Sequence, residues 1–193
     1  MFTALLDTCV LWPSLQRDFL LSLAIEGIYR PVWSSAVLDE LEYHEALKLT
    51  ERGVASEEAE ARARHLIEMM REHFDDAEVH GWEPLDGTYG LSDPDDEHLV
   101  AAAFVAGAGA IVTANLRDLP ASKLPHGIAT LTPQEFAFNT VAVDPVQAWR
   151  AVAAIVGRSG RYGHLMTADD VLDTLARRYR MTDAVELLRQ TRR

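Results

Sequence analysis

A single cysteine, Cys9, stands among the 193 residues. That excludes an internal disulfide and a cysteine-built zinc site, and makes a reducing cytoplasm the simplest home. No apolar run approaches the roughly 18 residues that a membrane span needs. Residues 1–12 are apolar, but they lack the basic start of a secretory leader and carry Asp7 in their middle, so they read as a first strand. Positive charge is scarce as well, with 18 Lys and Arg against 30 Asp and Glu and a net charge of −12. Phosphate contacts are usually made by Lys and Arg, so at first sight this balance argues against a nucleic-acid partner.

The shortage is uneven. Residues 1–144 hold 25 acids and 9 bases, whereas residues 145–193 hold 5 and 9. The acidity therefore belongs to the larger N-terminal part, where acids can collect cations. What the chain has in plenty is apolar residues, 48% of the total, which suffice for a core and exclude disorder. Its length suits one domain, or one domain with a helical appendage.

Residues 3–10 read as a short buried strand ending near Asp7, with Cys9 as a small hydrophobe within it. Apolar spacing predicts a helix over 15–26 with Gly27 as its C-cap, a strand over 29–33, and a helix over 36–50 capped by Ser34 or Ser35. Residues 57–74 form an amphipathic helix with Ala59, Ala63, Leu66, Met70 and Phe74 on one stripe, followed by a turn-rich segment over 75–93. Asp93-Pro94 starts a buried helix over 94–106, which stops at Gly107 and leads into a strand over 110–114. A last strand lies near 128–131. Strands alternating with helices imply an α/β chain with a central, mostly parallel sheet in three α/β/α layers, whose ligands bind at the carboxyl ends of the strands. The division expected is 1–140 as the main domain and 145–193 as a helical extension, two helices broken at 157–163.

Acids recur where strands meet helices. Asp7 stands at the end of the first strand, and an ionised carboxylate among Leu5, Leu6 and Val10 needs partners. Glu40 shares a helix face with Val37, His44 and Leu47, whereas Asp39 and Glu42 point elsewhere. Asp96 leads the face of Val100 and Ala103, while acids in a first turn also serve the helix dipole. Asp118 closes Asn115-Leu116-Arg117-Asp118, which turn chemistry alone would also explain. In chain order these acids bring oxygen ligands towards one cleft. Oxygen-only donors favour Mg²⁺ or Mn²⁺ over Zn²⁺, and the matching chemistry is water activation and in-line attack on a phosphodiester.

Leu5-Leu6-Asp7-Thr8-Cys9-Val10 resembles the opening strand of PIN domains, and Ser34-Ser35-Ala36-Val37-Leu38-Asp39-Glu40-Leu41 resembles their second motif. The run from Asp93 to Asp118 is similar to their third and fourth motifs in one piece, over a resemblance that covers about residues 1–135. Where the family often has a fourth acid this chain has Asn115, with Asp118 three residues on. The resemblance implies a three-layer PIN-like fold and a Mg²⁺- or Mn²⁺-dependent endoribonuclease with Asp7, Glu40, Asp96 and Asp118 as catalytic residues. It makes Asp7, Asp96 and Asp118 the metal ligands, supported by Thr113 and Asn115. Many relatives are VapC-type toxins held by a cognate antitoxin, which implies an RNA substrate, an antitoxin partner, a homodimer, a cytoplasmic location and no membrane. The competing expectation is a PIN-like RNA- or protein-binding module that has lost activity.

Other classes fail on spacing. A haloacid-dehalogenase site needs a second Asp two residues after the first, where Cys9 stands, and Gly107-Ala108-Gly109 precedes a strand instead of following one. His98 reads as a satisfied surface or cleft residue rather than a ligand. Trp12, Trp33, Trp82 and Trp149 read as packing anchors, with stacking on an unpaired base open to any that is exposed. The basic end, Arg177 to Arg180 and Arg189 to Arg193, reads as a solvated face, or more sharply as a contact for RNA phosphates or an acidic partner segment.

Overall fold

The computed structural model describes residues 1–160 and 164–192. In chain order the elements are β1 (Thr3–Leu6), α1 (Thr8–Leu11), α2 (Ser14–Ile25), β2 (Arg30–Ser34), α3 (Ser35–Glu51), α4 (Ser56–His73), β3 (Glu78–Val79), α5 (Glu97–Val105), β4 (Ala110–Val112), β5 (Ala129–Leu131), α6 (Pro133–Val143), α7 (Pro145–Arg158), α8 (Ala168–Arg177) and α9 (Thr182–Thr191). They form two compact units, one of Thr3–Trp12 and Pro31–Thr130, the other of Met1–Phe2, Pro13–Arg30 and Leu131–Arg193.

The sheet runs in the order β3-β2-β1-β4-β5. β1 and β4 are parallel with Leu5 opposite Ile111 and Leu6 opposite Val112, and β2 and β3 are parallel with Ser34 opposite Val79. The chain thus builds outwards from β1 on one side, then returns to build β4 and β5 on the other. That reversal lies between β1 and β4, and side chains just beyond their carboxyl ends open into a crevice. The mostly parallel five-stranded sheet with flanking helices is the expected α/β class and is consistent with three α/β/α layers.

Local chemistry sets where β1 stops. The Asp7 N–H still joins the ladder, donating to Val112 O at 3.1 Å, but its carboxylate accepts the Cys9 N–H and caps the single turn α1. The strand read within 3–10 and ending near Asp7 therefore stops at Leu6, and Cys9 is an exposed helical residue instead of a hydrophobe in a strand. Ser34 ends β2 and caps α3 in the same way, accepting the Val37 N–H at 3.2 Å. α4 packs on α3 through Ala59, Ala63, Ile67 and Met70, so the apolar stripe runs through Ile67 where Leu66 was expected.

Asp93 caps a single 3-10 turn over Pro94–Asp96, and the regular helix α5 begins only at Glu97. The Glu97 carboxylate is the reason the preceding loop holds its shape. It is 2% exposed and accepts the backbone N–H groups of Tyr89 at 2.7 Å and Leu91 at 2.6 Å. β3, two residues long, lies inside what reads as turns.

The other unit is helical. α2 packs on α7, α6 on α9, and α8 against α7 and α9. Tyr29 stands edge-to-face on Phe136 at 4.8 Å and donates its hydroxyl to Leu20 O at 3.0 Å. α6 was not expected, although Thr132-Pro133-Gln134-Glu135 forms a full capping box in which side chain and backbone exchange bonds at both ends. Among the described residues the tail holds three helices, not two, because the chain turns again between α8 and α9, where Arg180 has a φ of 58°. Of the break expected at 157–163, residues 161–163 lie outside the described residues, as does Arg193.

Candidate metal centre and cleft

The crevice between the ends of β1 and β4 is a cleft of about 430 Å³ lined by Asp7, Thr8, Cys9, Trp12, Glu40, His44, Asp96 and Asn115. Each side chain arrives from an element that the fold fixes. Asp7 follows β1, and Thr113 follows β4 directly across the ladder. The Thr113 hydroxyl donates to Asp7 Oδ2 at 2.6 Å, and the Cys9 thiol donates to the same oxygen at 3.0 Å. Cys9 keeps exposed surface, yet its sulfur also accepts the Ala114 N–H at 3.2 Å. Burial, then the Asp7 charge, push the thiol up to about 12, so it stays protonated and remains a donor.

Glu40 enters from α3. Its side chain is 46% exposed and therefore faces the cleft instead of the core. Thr8 donates to Glu40 Oε2 at 2.7 Å, and His98 Nε2 stands 3.8 Å from Oε1. His98 Nδ1 pairs with Ser34 Oγ at 2.8 Å, both groups being buried. Ser34 Oγ also accepts the Val37 N–H, and the tautomer in which its own proton goes to Nδ1 puts the His98 proton on Nε2, towards Glu40. Burial lowers the pKa of His98 against the raising effect of Glu40 and Asp7, and the ring stays neutral near pH 7.

The densest charge lies at the start of α5. Ligand oxygens of Asp93, Asp96 and Asp118 all lie within 4.8 Å of one another. The Asn115 amide donates to Asp118 Oδ2 at 2.6 Å and reaches Asp96 Oδ2 at 3.5 Å. Burial, then the charges of Asp7, Asp93, Asp118 and Glu40, push the Asp96 carboxyl up to about 6. Its like-charged neighbours oppose the ionised form of Asp96 until a cation joins them. Three carboxylates with no sulfur or imidazole among them form a hard donor set that fits a divalent ion.

The structure therefore brings Asp7, Glu40, Asp96, Asn115 and Thr113 to one cleft, with Asp118 beside Asp96. Asp7 stands outside the three-acid group. Asp93, read from the sequence as a cap, does cap and also contributes a ligand oxygen; its spacing three residues before Asp96 was the available signal. The bonds that tie Thr8, Ser34 and His98 into the site could not be found that way, because their partners lie 29 to 64 residues distant in sequence.

The family model of the PIN domain matches residues 3–117, and the chain belongs to the PIN-domain family. The matched stretch takes in Asp7, Glu40, Asp93, Asp96 and Asn115 and ends one residue before Asp118. PIN domains are in general nucleases that use divalent metals. No curated protein and no solved structure matches the chain.

Proposed function

We propose that this protein is a metal-dependent endoribonuclease, the toxin of a toxin–antitoxin pair, cleaving RNA phosphodiesters with Mg²⁺ or Mn²⁺. The observation that carries the reading is the close group of Asp93, Asp96 and Asp118 oxygens, which adjoins through Asp96 a cleft that also presents Asp7 and Glu40. The nuclease chemistry resides in residues 1–140, with 145–193 as a helical extension. The partners that go with this reading are an RNA substrate, a cognate antitoxin and a second copy of the chain, in the cytoplasm. No helix among the described residues is long and apolar enough to cross a membrane.

Asp96 and Asp118, with Asp93 beside them and Asp7 across the cleft, would hold the ion. A divalent ion supplies Lewis acidity and neutralises the charge that builds on a phosphodiester under attack. The protein's own groups do the rest. Thr113 and Cys9 occupy one oxygen of Asp7 and fix its rotamer. Thr8 fixes Glu40 from one side, and the neutral His98 faces its other oxygen. Glu40 is left with open acceptor capacity on the cleft side, where it takes a proton from an attacking water. Asn115 separates Asp96 from Asp118 and tempers their repulsion, as a neutral donor can where a fourth acid could not.

The competing reading is an inactive binding module, and Asn115 in place of an acid is what favours it. Incubating folded RNAs with the protein in EDTA, Mg²⁺ and Mn²⁺, beside Asp7→Asn and Asp96→Asn, separates the two. Metal-dependent cleavage lost in both variants supports the nuclease. A folded, antitoxin-free protein that neither cleaves nor binds metal by calorimetry is the binding module.

A further inference from the structure

Trp33 and Trp82 are buried, as anchors should be, but Trp12 is 42% exposed and lines the cleft. It ends α1 five residues after Asp7, and because that helix is a single turn the ring stays at the same mouth as the carboxylate. The ring is held in place. Its Nε1–H donates to His44 O at 3.3 Å, the His44 ring meets it edge-on at 6.5 Å, and the Lys48 ammonium stands 5.7 Å from its centroid. His44 and Lys48 are one and two turns beyond Glu40 on α3, so the indole's supports and Glu40 ride on one helix face. A rigid, water-exposed aromatic plane is an unusual thing for a fold to maintain without a ligand, since burying it would be favourable.

The cleft's electrostatics say what that ligand is. Asp7, Glu40 and Asp96 line it, and Lys48 is itself paired with Glu45, so phosphates find little attraction from side chains here. Apart from what a bound ion supplies, affinity for a polyanion in such a place comes from its uncharged parts, and a base stacking on an aromatic ring provides it with little dependence on salt. A duplex keeps its base faces covered, whereas an unpaired nucleotide offers one. We propose that Trp12 is a base-stacking platform that takes an unpaired base of single-stranded RNA next to the cleavage position. This rests on the nuclease reading above and adds to it a substrate requirement and a residue that enforces it.

The test uses short single-stranded oligoribonucleotides carrying 2-aminopurine at successive positions, bound to metal-free Asp96→Asn protein so that cleavage plays no part. One position is expected to be quenched on binding. Trp12→Ala added to that background abolishes the quench and raises Kd by about tenfold or more. Trp12→Phe, which keeps a ring but has no N–H, stays within about threefold, which separates stacking from the bond to His44. An abasic nucleotide at the quenched position costs the unsubstituted ring the same affinity. In metal-loaded protein with native Asp96, Trp12→Ala raises KM more than it lowers kcat. Equal quenching and equal KM in Trp12→Ala overturns the proposal, as does Trp12→Phe behaving like Trp12→Ala, or no binding of single-stranded RNA. Absence of cleavage with the quench intact sinks the nuclease reading alone.

Discussion

Asp93, Asp96 and Asp118 crowd three like charges within 4.8 Å, while in the helical unit every one of the acids Asp18, Asp169 and Asp173 has an arginine at 2.6 to 2.8 Å. The two regions handle charge in opposite ways. In the helices α7 to α9, Arg158, Arg189 and Arg192 spend their charge on the chain's own carboxylates. At the three acids the one side-chain donor among the described residues is the neutral amide of Asn115. A yet closer contrast separates two neighbours in sequence. Glu97 is almost fully buried but has two backbone N–H donors, so its charge is solvated by the protein. Asp96 is half buried and faces acids, so its charge is opposed by the protein. Burial marks neither as functional; the sign of the surroundings does.

The largest effect should come from removing the opposed charge. Asp96→Asn is expected to cost more than about 100-fold in metal-dependent cleavage, beyond what outer-shell changes give. It should at the same time raise the melting temperature of the metal-free protein by about 2–4 °C, the effect of about 1 kcal/mol in a chain of this size after allowing for solvent screening. A metal-free Asp96→Asn that melts lower would break the contrast, because it would make Asp96 a structural group.

Glu97→Gln tests the other neighbour. The amide keeps the shape but turns an N–H₂ towards backbone N–H groups, leaving one buried donor without a partner. The expected cost is about 2–4 kcal/mol, read by denaturant or thermal unfolding. Metal affinity falls as well, since the loop it holds leads into Asp93. Full metal binding in a destabilised Glu97→Gln would show that Asp93 is placed by its own cap alone.

The pH dependence follows from Asp96, whose carboxyl is raised to about 6 from an ordinary 3.8. A carboxyl with a raised folded value binds its proton more tightly in the folded state. Without metal, this group therefore costs stability as pH rises from about 4 through 6, and the cost is absent below that window. Metal binding requires the ionised form, so the sign reverses with the ion present. Affinity should fall by up to about tenfold per unit as pH drops below about 6. Calorimetric titration at pH 5 and pH 7 reads it, and equal affinities would mean that Asp96 is not a ligand.

Those expectations show what a sequence can and cannot reveal. Asp7 and Asp96 were placed by local signals, a strand end and a helix start, which the fold preserves. The mostly parallel sheet followed from strands alternating with helices. β3 escaped because two residues cannot show alternation, and α6 escaped although its capping box is written in Thr132-Pro133-Gln134-Glu135. Asp93 was half legible: its capping role satisfied the local reading and hid the second one. The pairing of Ser34 with His98 was hidden for a deeper reason. Their bond joins β2 to the start of α5 across 64 residues, and only the packed sheet brings them together.

The smallest effect belongs to the paired arginines, and it decides whether the basic tail serves RNA. Arg189 reaches Asp173 at 2.6 Å, and Arg192 reaches Asp169 at 2.8 Å while standing 5.6 Å from the Trp149 centroid. These pairs are half exposed, so Arg189→Ala and Arg192→Ala should each cost about 0.2–1 kcal/mol, a shift of a few degrees at most. A cation already matched by a carboxylate releases few counterions from RNA. The slope of log affinity against log salt should therefore change by less than about one unit in the double variant. A larger drop would mean that these arginines exchange their acids for phosphates, and the contrast between a spent region and an open one would fail at its weaker side. An unchanged slope is the outcome expected when the substrate is held at the indole and at the ion-binding acids and not by these two arginines.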